Sequence, residues 1–178
     1  MEMLFILILN NIDIDQNKPM RIDFDIKFCY IVAPSCSTMI GANVRWIQTG
    51  LTVAGGLGPG NEMNQLYNPS SVFVDDDQTV YVADYSNHRI VEWKNGTTSG
   101  HVITGRDGSR NRNDQFNYPT DVIFDKESDS LLISDQNNRR VMRWTRRNIT
   151  SGEIIISNID CWGLAMDISI SLIASNMK

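Results

Sequence analysis

The apolar positions of this chain fall in short clusters separated by polar turns, and they show no sustained helical period. Runs such as "SSVFV", "VYVA", "RIVEW" and "HVIT" are four or five residues long. Each is bounded by Asp, Asn, Gly or Ser, residues that favour turns for specific backbone reasons. This punctuation predicts strands at about 70–74, 79–83, 88–93 and 101–104. "VYVA" and, further on, "LLIS" are continuous apolar runs, which implies sheets covered on both faces. Early in the chain "RIDFDIKF" alternates polar and apolar, as a strand with one exposed face does.

The same words recur about fifty residues later. "GGLGPGNEMNQLYNP" (55–69) lies over "GRDGSRNRNDQFNYP" (105–119), with Gly55/Gly105, Gly58/Gly108, Asn61/Asn111, Gln65/Gln115 and Pro69/Pro119 coinciding. One extra residue in the following turn then sets Asp84/Asp135, Asn87/Asn138, Arg89/Arg140 and Trp93/Trp144 opposite each other. "TSGHVITG" and "TSGEIIIS" extend the match. Upstream, "VRWIQTGLTVAGG" supplies the end of an earlier unit, with Trp46 in the Trp position. Downstream, "DCWGLAMD" restates "NPSSVFVD" with Cys161 in the proline's place. A period near fifty residues means an array of supersecondary units. Four short strands per unit, stacked face to face, describe an all-β fold built of β-propeller blades. Two blades are complete, with partial blades flanking them.

Pro, a small or polar residue, apolar–x–apolar–Asp, apolar–x–apolar–x–Asp and then Asn–x–Arg is the pattern of the NHL repeat, which these units resemble. Pro69, Val72, Val74, Asp75, Val80, Val82, Asp84, Asn87 and Arg89 carry it in the first copy. Pro119, Val122, Phe124, Asp125, Leu132, Asp135, Asn138 and Arg140 carry it in the second. The resemblance covers residues 42–167. It leaves 1–41 as a non-repeat N-terminal segment with room for a partial strand, and 168–178 as a degenerate tail without the expected hairpin. It implies blades of a six-bladed propeller, which at about 45–50 residues per blade takes about 270–300 residues. This chain has 178, so the expectation is a partial propeller, a fragment of a larger one or a truncated gene model. Its exposed blade faces would need further blades or self-association for cover.

Composition narrows the chemistry. The net charge of −5 opposes bulk attraction to nucleic acid or anionic membrane. No run reaches the roughly 18 apolar residues of a membrane span. At the start, "LFILIL" follows Glu2 and is short for a cleavable signal. Cys29, Cys36 and Cys161 lack CxxC spacing, so neither zinc nor a disulfide framework is indicated, and one pair plus a thiol or three thiols both remain open. His88 and His101 are the two histidines. They are too few for the imidazole sets of zinc hydrolases or lyases; a solvated turn is the expectation for His88, and the head of an outer strand for His101. The glycine-rich connections lack a GK[ST] ending and a following helix, so no phosphate cradle is expected. No nucleophile elbow or acid–base pair assembles, and no metal or cofactor is expected.

Asp84, Asn87, Arg89, Asp135, Asn138 and Arg140 recur in both blades. This marks scaffold rather than site, with the Asp and Asn side chains shaping turns and the arginines pairing with carboxylates. The residues that vary on this frame, Tyr85, Ser86 and His88 against Gln136, Asn137 and Arg139, are the expected binding rim. "RRVMRWTRR" (139–147) gathers five arginines around Trp144. Single-stranded nucleic acid suits such a set; the favoured alternative makes Trp144 an edge-strand packing residue whose arginines guard that edge. Asn95 and Asn148 head glycosylation sequons in equivalent loops, which favours an extracellular over a cytoplasmic setting. The expected function is a non-enzymatic scaffold binding protein or glycan. The recognition half of a ubiquitin-ligase-type protein, its catalytic module lying elsewhere, and a fragment of a metal-dependent propeller lyase or lactonase are the alternatives that the resemblance implies.

Overall fold

Each apolar run pairs with the next across a tight turn, and the pairing follows the repeat. The structure is a computed structural model that describes residues 4–12, 22–31, 51–105, 111–146, 152–166 and 172–176. Strands β1 (Leu4–Ile12), β2 (Ile22–Ile31) and β3 (Leu51–Ala54) form an antiparallel sheet in that order. Next come β4 (Ser71–Val74), β5 (Val80–Asp84), β6 (Arg89–Trp93) and β7 (His101–Thr104), a four-stranded meander. A second meander follows, of β8 (Pro119–Asp125), β9 (Ser130–Asp135), β10 (Arg140–Thr145) and β11 (Glu153–Ser157). Strands β12 (Cys161–Met166) and β13 (Leu172–Asn176) pair antiparallel. The two meanders are complete propeller blades, and the strands of the first begin and end within a residue of the runs read from the sequence.

Register repeats as well as order. In the first blade Val80 faces Trp93, and Asp84 faces Arg89. In the second Leu131 faces Trp144, and Asp135 faces Arg140. Left-handed backbone recurs at matching turns: Asn68 (φ 53°) and Tyr118 (58°), Gln78 (62°) and Asp129 (49°), His88 (56°) and Arg139 (52°). Conformations that non-glycine residues seldom adopt, repeated blade to blade, show one backbone template used twice.

Period-two alternation between two covered faces explains why β5 and β9 are buried at every position. Val80 and Val82 pack with Val91, Trp93, Leu66 and Ala54 on one face of the first blade. Tyr81, Ala83 and Ile90 on its other face meet Leu131, Ile133, Met142 and Trp144 of the second blade. The far face of the second blade, with Leu132 and Val141, packs against Cys161 and Leu164 of β12. Each blade therefore turns its tryptophan toward the preceding unit. Trp93 and Trp144 are both fully buried, and about 25 cal/mol per Å² of apolar area makes these large side chains leading contributors to stacking.

Two expectations change. Trp144 is not on an edge strand, because β10 is paired on both sides, with β9 and β11. It recurs because it fills the space between blades. Nor does the chain lack a hairpin after Asp167: β13 pairs with β12. The "LIASN" stretch needs only extended backbone to satisfy the β12 edge, even without the Asp–x–x–Asn–x–Arg element. Trp46 and Cys36 lie outside the described residues, as does the side chain of Cys29. Cys161 is a buried free thiol.

Polar stitches close the seam between blades at both ends. Near the innermost strands, Ser70 Oγ donates to the Pro119 carbonyl (3.0 Å), and Thr120 Oγ1 donates to the Cys161 carbonyl (3.2 Å). The small hydroxyl residue after the proline position thus ties each blade to the next. Asp121 bridges three units, accepting from Ser71 Oγ on one side and from the Leu164 N–H (2.7 Å) on the other. Elsewhere along the seam Arg146 donates to Tyr81 Oη (2.9 Å) and Asp129 (2.8 Å) and lies over the Phe124 ring, while Tyr81 donates to Asp75 (3.1 Å). Burial pushes the Tyr81 hydroxyl up to about 12.

The tryptophans also explain a repeated glycine. A Cβ on Gly100 would lie 2.7 Å from Trp93 Cε2 and 2.5 Å from Val91 Cγ1; on Gly152 it would lie 2.8 Å from Trp144 Cε3. Gly100→Ala and Gly152→Ala are therefore each expected to lower unfolding free energy by about 1–3 kcal/mol, the cost of overpacking a core. Urea melts check this: the midpoint falls while the slope stays constant.

Candidate functional site

Both 3-10 turns, Tyr85–Asn87 and Gln136–Asn138, open directly from a buried aspartate. The Asp84 carboxylate accepts the Tyr67 N–H (2.8 Å), Asn87 Nδ2 (2.8 Å) and Arg89 Nε (2.7 Å). Arg89 passes its remaining donors to the carbonyls of Asn61 (2.6 Å), Glu62 (3.1 Å) and Gln65 (2.9 Å). The second blade repeats this atom for atom. Asp135 accepts from Asn117 N–H (2.7 Å), Asn138 Nδ2 (2.8 Å) and Arg140 Nε (2.7 Å). Arg140 then donates to the carbonyls of Asn111, Arg112 and Gln115. The planar guanidinium supplies several donors in fixed directions, and it converts an irregular connection into a satisfied one. Burial pushes both carboxyls above their ordinary value, and the bonds from asparagine, backbone and arginine pull back toward the anion.

With the clamp residues turned inward, the varied residues remain at the surface. Tyr85, Ser86 and His88 are half-buried, as is Gln136, while Asn137 and Arg139 are exposed. Each turn is fastened to the connection beside it: Ser86 N–H donates to the Tyr67 carbonyl (3.1 Å), and Asn137 N–H to the Asn117 carbonyl (3.1 Å). Turns and connections therefore share one face of the blades.

The seam adds a residue that the sequence reading missed. Tyr118 packs at a tilt against Tyr85 (centroids 4.6 Å, 40° between planes) and meets the His88 ring edge-on (4.3 Å). Its backbone N–H donates to His88 Nδ1 (3.0 Å). His88 is thus held in an aromatic cluster between two blades rather than standing solvated in a turn. A signal was present: the blades carry Tyr and Asn in swapped order, Tyr67–Asn68 against Asn117–Tyr118. That swap leaves Tyr67 half exposed in one blade and packs Tyr118 into the seam in the other.

The arginine-rich stretch disperses. Arg140 is buried in its clamp, Arg143 pairs with Glu153, and Arg146 turns into the seam. Arg139 stays exposed, and Arg147 lies outside the described residues. Successive strand residues point to opposite faces, so closeness in sequence does not become a common positive surface. His101 heads the outer strand β7 and contacts Glu92 (3.2 Å). Among the described residues no group of three His, Cys, Asp or Glu side chains is placed to hold a metal ion. Asn95 is exposed on the β6–β7 loop, its Nδ2 donating to Gln78 Oε1 (2.8 Å); Asn148 lies outside the described residues.

Removing one member of a buried ion pair strands the other charge, at a cost of about 3–5 kcal/mol. Arg89→Met and Arg140→Met are each expected to destabilise by that amount. Asp84→Asn combined with Arg89→Met should cost less than the sum of the singles, as a double-mutant cycle in urea would show.

Residues 66–93, which run from the first connection through β4, β5 and β6 to Trp93, match the family model described as NHL repeat. No curated protein matches the sequence. The matched segment contains Asp84, Asn87 and Arg89, and the second blade reproduces their bonds at Asp135, Asn138 and Arg140. With the motif in one blade and its geometry repeated in the next, the chain carries an NHL repeat at residues 66–93 and a second blade built on the same bonds.

Proposed function

We propose that this chain is a non-enzymatic propeller scaffold that binds a protein or glycan through the rim formed by its two 3-10 turns. The NHL repeat supports a β-propeller scaffold, a role that is commonly protein binding. One observation carries the finer reading. The residues that the blades share spend their donors and acceptors on the connections, whereas Tyr85, Ser86 and His88 differ from Gln136, Asn137 and Arg139 on the same face. Constant residues hold the frame, and variable ones at the surface are free to choose a ligand. Half-exposed Tyr67 widens that face with an aromatic ring suited to protein or sugar.

The aspartates argue against acid–base chemistry here. Asp84 and Asp135 are saturated by three donors each, and Asp121 is engaged across two seams. A secreted setting is part of the proposal, because the Asn95 sequon sits on an exposed loop within reach of glycosyl transfer.

Screening the protein against a glycan array and a display library of extracellular domains tests the rim. Asn137→Ala with Arg139→Asn, the latter suited to the left-handed backbone, should weaken a captured ligand at least about tenfold with the melting temperature unchanged. A ligand whose affinity ignores these substitutions, or one that the protein chemically converts, would overturn the proposal. Expression through a secretory pathway should give a glycosidase-sensitive mass that shrinks in Asn95→Gln.

A further inference from the structure

We propose that His88 is an acid-released latch across the seam between the two complete blades, its neutral ring holding the Tyr118 backbone and its protonation letting go. The contact is directional: the Tyr118 N–H donates to His88 Nδ1 at 3.0 Å. Nδ1 accepts only while it carries no proton; in the imidazolium both ring nitrogens are donors, and the bond becomes a donor facing a donor.

What the latch holds is strained. Tyr118 sits at φ 58°, a left-handed conformation uncommon for a bulky side chain. Asn68, its counterpart in the first blade, tolerates that region, since asparagine visits it routinely. Tyr118 keeps it beside an accepted N–H, an edge-on contact with His88 and a tilted ring contact with Tyr85. In the second blade the residue at His88's position is Arg139, which has no acceptor to offer, so the device belongs to this seam.

Among the described residues, the charged and titratable surroundings of His88 are the phenols of Tyr85 and Tyr118 and the carboxylates of Asp84 and Asp135, each bonded to its own arginine. Burial lowers the His88 pKa from its ordinary 6.5, and the two carboxylates pull the other way without reversing the direction. The folded state thus prefers the neutral ring. Its contribution to stability is present above about 6.5 and is lost as pH falls through the lower folded-state value. Acid therefore loosens Tyr118, and with it the aromatic cluster joining the β5–β6 turn to the entry of β8. The latch concerns the seam itself and stands whether or not the rim binds a ligand.

The test uses the full chain and His88→Asn, whose Oδ1 accepts a hydrogen bond at every pH and whose side chain suits the left-handed backbone. Amide exchange by NMR, corrected for intrinsic rates, gives the Tyr118 protection factor between about pH 7.5 and about pH 5. In the wild type, protection is expected to fall at least about tenfold along the His88 titration, and in His88→Asn to stay level. The melting temperature of the wild type should drop by about 2–4 °C more than that of the variant over the same interval. Tyr118 protection that is flat in the wild type, or that falls equally in His88→Asn, overturns the latch.

Discussion

A buried carboxylate holding the connection ahead of its own blade is the constraint on which the rest of this structure depends. The segments at 60–67 and 111–117 lie outside the sheets with few backbone bonds of their own, such as Gly60 N–H to the Leu66 carbonyl and Gln115 N–H to the Arg112 carbonyl, and they must cross from one sheet to the next. Irregular backbone in such a place needs donors for its carbonyls and acceptors for its N–H groups. Asp84 with Arg89, and Asp135 with Arg140, supply both kinds from one ion pair. An isolated pair of buried charges gains little over an apolar substitute. What this one contributes is position: it sets where the chain enters the first strand of the blade, and so where that blade stands against its neighbour.

Stacking follows from that placement. Once β4 and β8 are set, the alternating faces of β5 and β9 supply apolar surface to both sides. Trp93 and Trp144 take the largest share of the space between sheets, and Gly100 and Gly152 leave room for them. Hydroxyls at Ser70 and Thr120 then stitch the innermost strands. Each feature occurs twice because a single operation relates the blades, and a contact that works at one seam works at the next.

The proposed function is built on what that repetition leaves at the surface. A side chain committed to the clamp cannot also select a ligand, which is why the proposed binding rim falls on the residues exposed by the same turns. The seam between the complete blades goes further, since the swapped order of Tyr67–Asn68 and Asn117–Tyr118 places three rings together at one joint. There the scaffold and the rim are the same residues.

The repeat, the strand order and the two-faced burial of β5 and β9 were all legible in the sequence, because side-chain period and turn chemistry are local properties. So was the clamp's membership, since Asp, Asn and Arg recur at fixed spacing. Its bonding partners were not, because the carbonyls that Arg89 reaches lie 24 to 28 residues away. The same limit explains Trp144: a short apolar strand looks alike at an edge and in an interior until its neighbours are known. It explains the arginines of 139–147 too, contiguous in sequence yet sent by strand alternation to a clamp, a surface pair and a seam. Residue order by itself determined the blades; only tertiary structure decided what meets between them, because those contacts join atoms brought together by the stacking of sheets.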